Sequence, residues 1–170
     1  MGAVDGPDYS AVTSWQRSHT LTHVEPRHYD DVAKLLFDVM VGEGYATSPR
    51  PLSPDEVAER WAPHGKIFLA LGADDDVLGI LTLVSPPSRL TQLARNDEAE
   101  IRFLVVSPQA RGLGIARALV DAAVADAVSQ RKTAVVLSTQ VSMKAAQRLY
   151  ERVGFQRLPA LTERKIRDIF

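Results

Sequence analysis

Apolar positions recur along the chain with helical spacing in some stretches and in short β-prone runs in others. Residues 20–24 form a short β-prone piece that ends before Pro26. From His28 on, Val32, Leu35, Leu36 and Val39 repeat at helical spacing until Gly42 and Gly44 stop the run. Ser53-Pro54-Asp55-Glu56 opens a second helix, because serine caps, proline suits the first helical position and acids favour the positive end of the dipole. That helix ends before Pro63 and Gly65. Lys66–Leu71 and Val77–Val84 are apolar and β-prone, and the GADDD turn between them predicts a hairpin. Residues 85–97 carry two prolines and little periodicity, the pattern of a functional loop. Glu98–Val106 reads as a strand, 114–128 as a helix, 133–138 as a strand and 143–153 as a helix ended by Gly154. Residues 155–170 are expected to return one or two strands. Strand–helix–strand over 98–138 requires a locally parallel pair, whereas the hairpin is antiparallel, so a mixed sheet carrying helices follows.

Composition adds bounds. The 170 residues suit one domain, with 45% apolar and 24% charged residues, enough for one sizeable core. Residues 1–17 are small, polar and Gly/Pro-bearing and read as a flexible arm, leaving 18–170 as the domain. The net charge of −1 gives no global field for nucleic acid or an anionic membrane. With no cysteine there is no disulfide, thiolate nucleophile or cysteine metal site. No apolar run approaches the ~20 residues that span a bilayer, and 1–18 lacks a signal peptide's basic flank and apolar core. The expectation is a cytoplasmic protein without a bound metal.

The segment Ser107-Pro108-Gln109-Ala110-Arg111-Gly112-Leu113-Gly114-Ile115-Ala116-Arg117 lies between a strand and a helix start. Its glycines permit backbone angles closed to other residues and let a ligand approach the main chain. The helix start adds unpaired N–H groups and partial positive charge, and Arg111 and Arg117 add formal charge. This is a cradle for a phosphate or pyrophosphate, although glycines alone would equally suit a turn without a ligand. A Rossmann fingerprint would need a small residue where Arg117 stands, and a P-loop would need Gly-Lys-Ser/Thr.

Arg111-Gly112-Leu113-Gly114-Ile115-Ala116 resembles R/Q-x-x-G-x-G/A, the signature of the GNAT (Gcn5-related N-acetyltransferase) superfamily. Ala145-Ala146-Gln147-Arg148-Leu149-Tyr150-Glu151-Arg152-Val153-Gly154-Phe155 is similar to that family's A-x-x-L-Y-E-x-x-G-F helix. The resemblance is strong over 98–155. It implies an α/β (α+β) fold with a mixed, mostly antiparallel sheet of about six or seven strands flanked by about four helices and splayed between the two parallel strands. It also implies an acyltransferase moving an acetyl group from acetyl-CoA to a primary amine, on a small molecule or a peptide, in a ternary complex. A CoA-binding module without catalysis is the alternative. Dimerisation is common in the family.

By the same resemblance, the amides of Arg111, Gly112, Leu113, Gly114, Ile115, Ala116 and Arg117 hold the CoA pyrophosphate, Leu104, Val105 and Val106 pair with pantetheine, and Ala146 belongs to the cofactor site. Tyr150 on its helix alone is a core tyrosine beside Ala146, Leu149 and Val153; the motif makes it the general acid that protonates the departing sulfur. Glu100 resembles the family's strand glutamate, the candidate general base, with an ion pair to Arg102 as its other reading. Glu98, Glu100 and Arg102 are expected on one face of the strand, with Ile101, Phe103 and Val105 on the other. Met143 stands where many members carry asparagine and cannot offer amide hydrogen bonds, which leaves one family contact open. Trp61, Tyr45 and the 85–97 loop are expected, from topology, to line the acceptor pocket. His19, His23, His28 and His64 show no metal-ligand pattern.

Overall fold

The computed structural model describes residues 19–45 and 50–158. The order is β1 (Thr20–His23), α1 (Tyr29–Gly42), α2 (Pro54–Glu56, continuing through a π-turn over Val57–Trp61), β2 (Lys66–Leu71), β3 (Val77–Val84), β4 (Glu98–Val106), α3 (Ile115–Ser129), β5 (Ala134–Val136) and α4 (Lys144–Arg152). The strands form one sheet in the order β1-β2-β3-β4-β5. Every pairing is antiparallel except β4 with β5. Among the described residues no helix is long and apolar enough to cross a membrane.

Both faces of the sheet are covered, which explains why β2 and β3 are near-continuous apolar runs rather than alternating ones. On one face Val32, Leu36, Val39, Val57 and Trp61 pack on Ile67, Leu69, Leu71 and Ile80. On the other, Ile115, Leu119, Ala123, Ala127 and Tyr150 pack on Phe68, Ala70, Leu81 and Ala99. Gly79 lets the first turn of α3 settle on the sheet: a Cβ there would lie 2.9 Å from Cγ2 of Ile115. The Ser53 cap expected from sequence is formed. Its Oγ accepts the Glu56 N–H at 3.2 Å and Glu56 Oε2 accepts the Ser53 N–H at 3.1 Å. Replacing Ser53 by alanine is expected to cost about 1 kcal/mol in denaturant unfolding, with little effect on ligand affinity.

The sequence reading needs correction in two places. The sheet has five strands among the described residues rather than six or seven. Residues 155–158 leave α4 without joining the sheet, since Phe155 turns back onto Tyr150 and Leu158 is exposed. The rest of the expected final strands, 159–170, and the N-terminal arm fall outside the described residues. Within β4, Ile101, Phe103 and Val105 do not share a face. Thr82 pairs with Arg102 and Ile80 with Val105, so β4 spends three residues where β3 spends two. Phe103 takes φ 53 at this bulge. Ile101 therefore packs under α3, while Val105 and Phe103 pack under α1 and α2. A bulge reverses the facing of every residue beyond it, and Phe103 uses its turn to stack on Trp61, with ring centroids 4.4 Å apart.

Candidate functional site

The parallel ladder is short. Only Glu98, Ala99 and Glu100 pair with Ala134, Val135 and Val136, whereas β4 continues to Val106. Past Glu100 the strands part, and the backbone edge at Leu104, Val105 and Val106 faces the gap with no β5 pairing among the described residues. Leu104 and Val106 are half-buried and packed with the α3 layer, and Val105 is buried against the α1 layer. The residues expected to meet pantetheine thus border the gap.

A 3₁₀ turn at Pro108–Ala110 carries the chain from the end of β4 to α3. Gly112 and Gly114 adopt φ 82 and φ 77, left-handed values that disfavour any side chain. Open space lies beside both: a Cβ at either would meet nothing within 4 Å. The first helical acceptor bond at the start of α3 runs from the Ala118 N–H to the Gly114 carbonyl. Consequently the N–H groups of Gly112, Leu113, Gly114, Ile115, Ala116 and Arg117 have no acceptor among the described residues. A run of unpaired donors at a helix N-terminus, with room above it, fits a diphosphate. Arg111 reaches Glu43 at 2.7 Å, and Arg117 reaches Asp121 at 3.4 Å.

α4 brings Tyr150 to the edge of the gap. Tyr150 is buried and meets Phe155 edge-on at 5.5 Å. It borders a cavity of about 440 Å³ together with Leu93, Val136, Leu137 and Gln147. No hydrogen bond among the described residues uses its hydroxyl. Burial pushes the phenol well above its ordinary range. A phenol of this kind is protonated throughout the neutral range. Ala146 is half-buried on the same helix. Met143 occupies the N-cap of α4 and makes no side-chain cap bond.

Glu100 is wholly buried. Its Oε2 accepts the backbone N–H groups of Gln92, Leu93 and Ala94 at 2.8, 2.8 and 3.2 Å. Its Oε1 accepts from Arg102 Nη1 at 3.3 Å, and the same nitrogen donates to the Leu90 carbonyl at 3.0 Å. Burial lowers the pKa of Arg102, and the Glu100 charge opposes that shift. Of the two residues and the loop named for the acceptor pocket, Trp61 is buried under Phe103, Tyr45 bonds Glu43 at 3.3 Å, and the 85–97 loop sends Leu93 to the cavity.

The structure adds Glu43, which the sequence reading did not name. Glu43 and Tyr45, just past α1, lie at the mouth of the gap: Glu43 on Arg111, and the Tyr45 carbonyl 3.4 Å from Gln140 Nε2 on the β5–α4 connection. Nothing local marks Glu43, because its partner is far away in sequence. Among the described residues no group of acidic or histidine side chains could hold a metal ion.

The family model for the acetyltransferase (GNAT) family matches residues 32–155. The chain is 28% identical over 128 residues to a streptothricin acetyltransferase of Escherichia coli, covering 73% of this chain and 69% of that one. It is 31% identical over 118 residues to N-acetylaspartate synthetase of Danio rerio, covering 64% of this chain and 39% of the other. The match to mycothiol acetyltransferase of Paenarthrobacter aurescens is 33% over 101 residues, 59% of this chain and 30% of the other. For the last two relatives the chain thus spans well under half their length. A GNAT-family acetyltransferase from Staphylococcus aureus Mu50 superposes with a TM-score of 0.69 at 16% identity, over 83% of this chain and 86% of that one, a likeness of fold. With the family model covering both the glycine turn at 112–114 and the Tyr150 helix, this chain belongs to the GNAT acetyltransferase family.

Proposed function

We propose that this chain is an N-acetyltransferase that moves the acetyl group of acetyl-CoA to a primary amine by direct transfer in a ternary complex. The observation that carries the reading is the run of unpaired N–H groups at 112–117 beside two open glycine positions. These donors hold the pyrophosphate, with Arg111 and Arg117 adding charge. The free edge of β4 at Leu104, Val105 and Val106 pairs with the pantetheine amides, and Ala146 borders the arm. The amine nitrogen attacks the thioester carbonyl carbon and forms the C–N bond. An N–H near Val105 and Val106 steadies the carbonyl oxygen as it gains charge. The C–S bond breaks, the Tyr150 hydroxyl gives its proton to the leaving sulfur, and the proton that the acylated nitrogen sheds passes to solvent, from which the phenol is reprotonated.

Two of the relatives are named for streptothricin and for N-acetylaspartate, so the family likeness supports an amine acceptor without choosing one. The test is thermal-shift titration with acetyl-CoA, followed by thiol release with streptothricin, aspartate, a polyamine and a peptide α-amine. Stabilisation together with thiol release for at least one amine is expected. Stabilisation without release from a wider amine panel would favour the non-catalytic binder, and no response to any acyl-CoA would remove both readings.

The Arg111–Glu43 pair gives a smaller prediction. The Arg111 side chain is about half exposed, so the pair is worth at most about 1 kcal/mol. Glu43→Gln releases Arg111 toward the pyrophosphate. It is expected to tighten acetyl-CoA binding by up to about fivefold by calorimetry, with the gain shrinking at high salt.

A further inference from the structure

Glu100 sits at the last rung of the β4–β5 ladder, opposite Val136, where the sheet begins to part. Both of its oxygens are engaged, Oε2 by the 92–94 segment and Oε1 by Arg102. Three consecutive backbone N–H groups, from Gln92, Leu93 and Ala94, converge on Oε2. Arg102 binds the other oxygen and, through the same Nη1, the carbonyl of Leu90. Carboxylate and guanidinium together grip both ends of the 90–94 turn. Leu90 and Leu93 are buried at this anchorage, and Leu93 forms part of the wall of the Tyr150 cavity. A proton acceptor must offer a free oxygen within hydrogen-bond reach of the amine. Here that would require breaking charge-assisted bonds in a site sealed from water.

We propose that Glu100 is a positioning residue and not the general base: with Arg102 it clamps the 90–94 turn so that Leu93 walls the cavity at Tyr150. The polar face of β4, which alternation alone marks as a catalytic surface, is thereby spent on holding a loop. The kinetic arm of the test rests on the acetyl-transfer reading; the exchange arm does not.

The experiment compares Glu100→Gln, Glu100→Ala and Leu93→Ala with the parent chain. Amide hydrogen exchange is followed over 90–95, and thiol release from acetyl-CoA is measured across pH with the best amine of the panel above. Glutamine keeps an oxygen for the three N–H donors. Glu100→Gln is therefore expected to keep the protection of amides 92–94, a kcat within about threefold of the parent and the same pH profile. Glu100→Ala is expected to lose that protection at least tenfold and to lower kcat/KM in the same direction as Leu93→Ala. A fall in kcat of about a hundredfold in Glu100→Gln, with loss of the acidic limb while amides 92–94 stay protected, would overturn the proposal in favour of a base. Equal exchange at 92–94 in the parent and Glu100→Ala would overturn it as well. Should no amine support thiol release by the parent chain, the acetyl-transfer reading fails, and the exchange comparison still decides the clamp. If Glu100→Ala does not fold, Glu100→Gln and Leu93→Ala carry both arms.

Discussion

Gly114→Val is expected to reduce acetyl-CoA affinity at least a hundredfold while leaving the protein folded. Gly114 holds φ 77, and a non-glycine residue there costs about 1–2 kcal/mol of backbone strain. No protein atom lies within 4 Å of where its Cβ would stand, so no clash adds to that cost. The isopropyl group would instead project into the space above the unpaired amides of 112–117. Losing two charge-assisted bonds to a phosphate, at about 1.5–3 kcal/mol each, gives 3–6 kcal/mol, or roughly 10²–10⁴ in affinity. Calorimetric titration with acetyl-CoA reads the affinity, and denaturant unfolding reads the strain. Undiminished affinity in a folded variant would place the diphosphate elsewhere.

Tyr150→Phe should lower kcat by about 10²–10⁴, the range of a lost general acid, with acetyl-CoA affinity within about twofold. The ring stays, and with it the edge-on contact to Phe155 and the packing beneath α3. The hydroxyl makes no protein hydrogen bond among the described residues, so its removal leaves no partner unsatisfied and stability should hardly change at neutral pH. Alkaline pH separates the two chains. Burial raises the Tyr150 pKa above the unfolded phenol's ~10. The buried neutral phenol therefore contributes fully to stability below about pH 10, and that contribution is lost as pH rises from there through the folded-state value. The phenylalanine variant should lack this component in unfolding measured from pH 8 to 11. Unchanged turnover in Tyr150→Phe would remove the hydroxyl from the mechanism.

Elements carried by local chemistry were legible in the residues. The cap at Ser53 and the GADDD hairpin turn are set by groups a few residues apart, and both formed as read. The open glycine turn at 112–114 was legible for the same reason: its glycines and the helix start are contiguous, and backbone donors need no distant side chain. Alternation along β4 failed at one point. Nothing in Phe103 or Leu104 announces an extra residue, because a bulge is chosen by the partner strand and by the ring of Trp61 waiting across the core. The strand count failed where residues 155–158 lack an alternating apolar pattern and Phe155 is drawn onto Tyr150 instead.

Glu100 shows how far sequence and structure divide the work. By itself the sequence determined the family, the order of elements and the open glycine turn before α3, since each rests on residues close together in the chain. Only the tertiary structure decided what surrounds those groups. It set Glu43 on Arg111, fixed Glu100 as the rung after which β4 and β5 part, reversed the facing of β4 at Phe103, and turned the Glu100 carboxylate onto the amides of 92–94. A side chain's partners are fixed by packing between segments that the chain brings together from far apart, and a buried carboxylate binds whichever donors that packing delivers.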